Sequence, residues 1–293
     1  MVVQRNSTEF VDYASGFVGS SAGELDACLA ESLETIEEYL EGRKPVLGVV
    51  LGMGLSPVAD ALEYAVRIPF SDIPHMKRCS VIGHAGQFVC GYIEGTCVIA
   101  MQGRLHGYEG YSAPEVAYPV WLMGRLGVKV LVTTYSVRPL SERFYVGDLC
   151  LTTDHINLTG RNPLVGHDPN RFARRFVSLD EAYSPRLRRV ARDVAGREEI
   201  TLKEGIYLAV PGPSLETPAE MLAYSLMGAG TVGVSSIEEV IAARHVGIEV
   251  LGISLVCGAA GSYATAEQVS AVGRSRCLDL LNLLKGIVIH CLQ

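Results

Sequence analysis

What most limits the fold of this chain is a series of short apolar runs, each stopping at glycine or at a polar cluster. Pro45 opens the first, Val46-Leu47-Gly48-Val49-Val50-Leu51, which halts at Gly52-Met53-Gly54. Cys97 to Met101 halts at Gln102-Gly103-Arg104, and Val128 to Thr133 follows. Ile206 to Val210 ends at Pro211-Gly212-Pro213, Thr231 to Val234 at Ser235-Ser236, and Val250 to Val256 at Cys257-Gly258. Runs of this length predict buried strands. Between them, Ala113 to Leu126, Thr217 to Met227 and Ile237 to His245 read as helices, as does Glu24 to Leu40 with its apolar residues at helical spacing. Strands alternating with helices predict an α/β protein whose sheet is mostly parallel and covered on both faces. No linker rich in Pro, Gly or Ser divides the chain, so one domain over residues 1–293 is expected.

Composition removes several classes. Twenty-five basic against 32 acidic residues leave a net charge of −7, the wrong sign for a phosphate-neutralising nucleic-acid partner. With 48% hydrophobic residues the chain can build a large core. No apolar run is long enough for a membrane span, and Met1 to Ser20 lacks the pattern of a secretory leader. The eight cysteines are scattered without a C-x-x-C pair, which fits free thiols and a cytoplasmic location.

In an open parallel sheet, ligands sit beyond the carboxyl ends of the strands. Those ends carry Gly52-Met53-Gly54, Arg104 with His106, Thr133-Thr134, Glu216 and Ser235, a set suited to a small anionic, hydrogen-bonding ligand. Gly52-x-Gly54 reads as a phosphate loop or as a plain tight turn. Pro57 removes the dinucleotide fingerprint. In Met101 to Tyr111 (MQGRLHGYEGY), Arg104, His106 and Tyr108 alternate and can point one way. Arginine offers a planar fork to phosphate oxygens, and histidine a second donor. His84, between Gly83 and Gly86, sits where small neighbours allow close approach, or simply in a turn. Thr217 and Glu220 have capping-box spacing with Pro218 at the first helical position, so Glu216 is left at the strand's mouth to accept N–H donors. Arg186 to Arg192 reads as a solvated helix face. Serine-hydrolase, zinc-protease and nucleotide-loop motifs are missing, and no His, Cys or Asp spacing suits a metal.

Together these segments resemble the trimeric-type purine nucleoside phosphorylases, from about Val46 to Leu283. The resemblance is carried by Gly83 to Gly86, Met101 to Tyr111, Asp154 to Leu158 with Asn162 to Gly166, Gly212 to Glu220, and Val232 to His245. It implies a twisted mixed sheet wrapped by helices, a homotrimer, and reversible phosphorolysis of purine nucleosides of the inosine and guanosine type. Inorganic phosphate would be the co-substrate, with no cofactor or metal. By position, Gly54, His84, Arg104, His106, Tyr135 and Ser235 would bind phosphate. Tyr108, Glu216, Val234 and Gly258 would bind the nucleoside, with His106 and Glu216 in the catalytic roles.

The chain also departs from that family. Met53 stands where a phosphate-binding serine is usual, and Thr133 to Arg138 is a bulkier version of a small-residue loop. Leu215 replaces an aromatic, Val234 a methionine, and Cys257-Gly258 a Thr-Asn pair whose Asn serves the departing purine. Ala266 lies nearest the place of the usual histidine for the ribose 5′-hydroxyl. Loss of one such donor costs on the order of 10²–10³ in rate. Three readings therefore stand: an active phosphorylase, a nucleoside-binding homologue with impaired catalysis, and a phosphate-independent hydrolase.

Overall fold

The computed structural model describes residues 22–81, 83–166, 175–259 and 264–293. The segment Met1 to Ser20, read above for a leader, lies outside them. In chain order the main elements are α1 (Ala22–Leu40), β1 (Leu47–Leu51), α2 (Pro57–Asp60), β2 (Glu63–Pro69), β3 (Gln87–Ile93), β4 (Thr96–Gln102), α3 (Ala113–Arg125), β5 (Val130–Pro139) and β6 (Leu149–Asn157). They continue with α4 (Pro185–Arg197), β7 (Leu202–Ala209), α5 (Pro218–Leu226), β8 (Thr231–Gly233), α6 (Ile237–His245), β9 (Glu249–Val256), α7 (Ala266–Ser275) and α8 (Cys277–Cys291).

One sheet runs β2-β3-β4-β1-β5-β8-β7-β6-β9. Five pairings are parallel and four antiparallel, so the parallel majority is slim. β5 also pairs with β9, from Val130↔Glu249 to Val137↔Val256, before its end crosses to β8 at Arg138↔Val232. That second pairing closes β5, β8, β7, β6 and β9 into a ring, leaving β2 as a free edge. The long β5 corrects one expectation: Thr133 to Arg138 is strand, not loop. Thr, Tyr and Val suit the pleat where small residues would let the chain leave it.

The period of two along β1 sorts its side chains to both faces. Val50 joins Ile99, Leu131, Leu29 and Ile36 under α1, α3 and α6, while Leu47, Val49 and Leu51 join Leu187, Leu280 and Leu284 under α4 and α8. Full burial of each such side chain is worth about 1.5–3 kcal/mol. Ser112, Thr217 and Thr265 each cap the helix that follows, with Glu115, Glu220 and Gln268 answering three residues on. The cap at Thr217 is the one the sequence predicts. Glu94 and Gly95, both at positive φ, turn β3 into β4, and this hairpin is missing from the sequence-based expectation. Among the described residues no helix is long and apolar enough to cross a membrane.

Candidate functional site

β1, β4, β5 and β8 all deliver their ends to one cavity of about 300 Å³. Gly52 and Met53 enter it from β1, Arg104, His106 and Tyr108 from the segment after β4, and Val234 and Ser235 from the end of β8. His84 reaches it from the loop before β3, Ala264 from just ahead of α7, and Ala266 and Val269 from the start of α7. Tyr135, Ser136 and Arg138 line it from β5, and Pro213 and Leu215 from the segment before α5.

Arg104 is the most constrained of these groups, at 1% exposure. Its Nε donates to Glu239 Oε1 at 3.0 Å and its Nη2 to Oε2 at 2.8 Å. Nη1 donates to the Thr134 carbonyl at 2.7 Å, and Nη2 also reaches Thr133 Oγ1 at 3.0 Å. Ser236 Oγ completes the group, 2.7 Å from Thr133 Oγ1 and donating to Glu239 Oε2 at 3.2 Å. The guanidinium is thereby locked in orientation, with its charge partly offset by Glu239. One Nη1 hydrogen is left for a ligand.

His106 is set by Glu109, three residues on. Glu109 Oε1 accepts from the His106 backbone N–H at 2.8 Å and lies 3.1 Å from Nδ1. Burial alone would raise the Glu109 carboxyl, yet hydrogen bonds from His106 and Ser80 hold it down at about 2. An ionised carboxylate only accepts, so Nδ1 carries the proton and Nε2 of the neutral ring is an acceptor. Burial lowers the His106 pKa, and burial, with the neighbouring His106 imidazole and the Arg104 guanidinium, lowers that of His84 to about 3. The two imidazoles lie 5.5 Å apart, and Tyr108 stacks on His106 at 4.6 Å. Ser235 is fixed through its backbone: its N–H donates to Tyr207 Oη at 3.1 Å, and that hydroxyl donates to the Ser235 carbonyl at 2.8 Å. Its own hydroxyl makes no hydrogen bond among the described residues.

Four expected ligands are placed differently. Gly54 is off the cavity wall; at φ +81° it packs on α7, where a Cβ would stand 2.3 Å from the Ser270 carbonyl. The tight-turn reading describes it. Tyr135 touches the cavity wall, but it is 1% exposed and its hydroxyl is engaged by Thr152 in the core. Gly258 lines a side hollow of about 90 Å³ shared with Ser136, Arg138, Leu215 and Cys257. Glu216 is not on the wall that holds the histidines. Arg138 covers it, with Nε 3.0 Å from Oε2 and Nη2 2.5 Å from both oxygens, and the carboxylate side chain is left 3% exposed. A free base-reading carboxylate is not what this geometry presents.

Thr134 likewise serves the sheet: its hydroxyl donates to Val50 O at 2.8 Å and accepts from Gly52 N–H at 2.9 Å, using the donor a phosphate loop would offer. The sequence reading missed Glu109, Arg138 and Glu239 as site residues. Glu109 carried a usable signal in its three-residue spacing from His106. Arg138 and Glu239 meet partners 78 and 135 residues away, which no local spacing shows.

Comparison with known proteins agrees with this arrangement. A family model described as "Phosphorylase superfamily" matches residues 46–288. "Purine nucleoside phosphorylase 1" of Geobacillus stearothermophilus is 42% identical over 264 residues, covering 88% of this chain and 96% of that one. Crystal structures of Schistosoma mansoni purine nucleoside phosphorylase in complex with adenosine and with inosine superpose with TM-scores of 0.84, at 34% and 33% identity. Each alignment covers 90% of this chain and 96% of the other. Sequence, sheet topology and the placement of the histidines and Arg104 lead to one conclusion: the chain belongs to the purine nucleoside phosphorylase family of the phosphorylase superfamily.

Proposed function

We propose that this chain catalyses the reversible phosphorolysis of purine nucleosides, yielding a free purine base and ribose 1-phosphate. The observation that carries the reading is the convergence of His84, Arg104, His106 and the Ser235 hydroxyl on one cavity. Phosphate sits against the remaining Arg104 N–H and the Ser235 hydroxyl. His106 Nε2 accepts a hydrogen bond from a phosphate O–H, and His84 lies beside it. As the glycosidic bond lengthens, its electron pair moves to the base, which takes up a proton from solvent, and the ribosyl carbon gains oxocarbenium character. A phosphate oxygen then supplies the pair for the new C–O bond. Positioning and charge stabilisation carry this chemistry, with phosphate as co-substrate and no cofactor. Tyr108, stacked on His106, and Val234 form the ribose side.

We infer that the chain works as a homotrimer in the cytoplasm. α5 buries none of its residues, and Leu222, Leu226 and Met227 are at least half exposed, an apolar face suited to a neighbouring subunit. The free, partly buried thiols suit a reducing compartment. A second reading, a nucleoside-binding homologue with impaired catalysis, draws on the Arg138 clamp over Glu216. Base release from inosine, guanosine, adenosine and xanthosine, with and without phosphate, separates them. Phosphate-dependent release is expected; no turnover of any member would favour the binding homologue, and release indifferent to phosphate would favour a hydrolase.

A further inference from the structure

The cavity has two chemically different ends. His84, Arg104 and His106 form one. The other, where the wall continues into the side hollow containing Cys257 and Gly258, is formed by Arg138, Leu215 and Val269. Leu215 also borders a further hollow on whose wall Glu216 lies, so Arg138 stands between the cavity and that carboxylate. Arg138 uses Nε and Nη2 on Glu216; its Nη1 has no hydrogen-bond partner among the described residues, and its side chain keeps 20% exposure. The segment that carries it is strand, paired at Arg138↔Val232, so the guanidinium is fixed from both backbone and head.

Resting on the phosphorolysis reading, we propose that Arg138 is a specificity-determining residue that reads the base with N–H donors and favours an acceptor-rich, anionic purine of the xanthine type. A bare carboxylate would accept from a protonated ring nitrogen or an amino group and repel a negative base. Covered by a guanidinium, the same position becomes neutral as a pair and presents donors only. A dioxopurine carries carbonyl oxygens on both sides of its ring N–H and ionises readily near neutral pH, so it satisfies those donors. Hypoxanthine and guanine carry a single ring carbonyl and stay neutral at that pH, so an Arg138 N–H is left without an acceptor. Such a mismatch in a closed site is strongly discriminating.

The test compares wild type with Arg138→Gly and Arg138→Met, assaying xanthosine, inosine and guanosine at saturating phosphate. Calorimetric binding of free xanthine and hypoxanthine runs in parallel. Wild type is expected to favour xanthosine over inosine at least tenfold in kcat/KM. Both variants should lose tenfold or more on xanthosine, and gain on inosine and guanosine as Glu216 is released. A wild-type preference for inosine, or a ranking unmoved by either variant, overturns the proposal. Should no nucleoside turn over, the phosphorolysis reading fails by itself; binding still decides this one. Xanthine held more tightly than hypoxanthine only while Arg138 is present supports it, and equal affinities end it.

Discussion

Arg104 and Glu239, 135 residues apart in sequence, share a bidentate ion pair in which neither side chain is more than 2% exposed. The pair joins the segment after β4 to α6 and fixes the cationic end of the cavity. Its two roles, structural and ligand-binding, are separable by experiment.

Arg104→Ala leaves the Glu239 carboxylate buried without its partner, which costs about 3–5 kcal/mol. It should also raise the phosphate KM. Removing both partners in Arg104→Ala with Glu239→Ala recovers much of the stability, because no lone charge remains inside. The phosphate defect should persist in the double variant. Urea unfolding and phosphate titration read the two effects apart, and a double variant with normal phosphate KM would remove Arg104 from the phosphate site.

Glu109 acts through His106 rather than on substrate. Glu109→Gln replaces an acceptor-only carboxylate with a group that can turn its amide toward Nδ1, so the ring is free to take the other tautomer. Since a hydrogen bond to a charged group is worth about 1.5–3 kcal/mol, kcat/KM for phosphate should fall on the order of 10–100-fold. The pH–rate profile should shift as well, because the carboxylate supports the imidazolium. Unchanged rate and unchanged profile would leave Glu109 as a cap of the turn and nothing more.

The buried imidazoles make stability depend on pH, and the sign follows from proton counts. His84 falls from 6.5 to about 3 in the folded chain, so between those values the unfolded state holds the extra proton. Stability therefore rises with pH through that window and is complete above 6.5. From about pH 5 to 6.5 the gain is about 2 kcal/mol from His84. His106, also lowered by burial, adds in the same sense. Glu109 contributes only below its ordinary 4.5, where stability is lost as pH falls toward about 2. Urea midpoints for wild type and His84→Gln across this range should show a shallower slope in the variant; equal slopes would contradict the burial of an uncharged His84.

Much of this frame was legible in the chain because it rests on local patterns. Val46 to Leu51 is apolar on both faces since β1 is covered on both, and Thr217-Pro218 with Glu220 spells out its own cap. β2 was not legible, because as the sheet's edge it is largely exposed and lacks an apolar run. β6 hides among Thr152, Thr153 and Asp154. At the site, alternation through Arg104, His106 and Tyr108 did place three side chains on one wall. At the base end, position alone assigns Glu216, and what position does not show is that a β5 that stays in strand through Arg138 delivers a guanidinium on top of it.

Gly54 now has a structural explanation that makes its own prediction. At φ +81° a side chain is strained, and the Ser270 carbonyl lies 2.3 Å from where a Cβ would be. Gly273 meets the same turn from the other side, its Cβ position 2.4 Å from the Met53 carbonyl. The β1 turn and α7 thus approach backbone to backbone. Gly54→Ala should destabilise by at least about 1–3 kcal/mol from backbone strain alone, more with the clash. It should shift Met53, Ala266 and Val269 on the cavity wall, raising the nucleoside KM. Thermal unfolding and kinetics both report this, and a variant of normal stability would mean the turn is not so tightly packed.

α5 tests the assembly. Its Leu222 and Leu226 are 62% and 80% exposed, and Leu215 just before it is 43% exposed while also lining the cavity. A helix this apolar and uncovered is expected to pack against a second copy, which would also close the base end of the site from outside. Leu222→Glu with Leu226→Glu puts charge on that face without touching the phosphate end. Light scattering should then show dissociation to smaller species, and the nucleoside KM should rise more than the phosphate KM. If the doubly charged variant keeps both its mass in solution and its nucleoside KM, α5 is not the interface, and the cavity is complete within one chain.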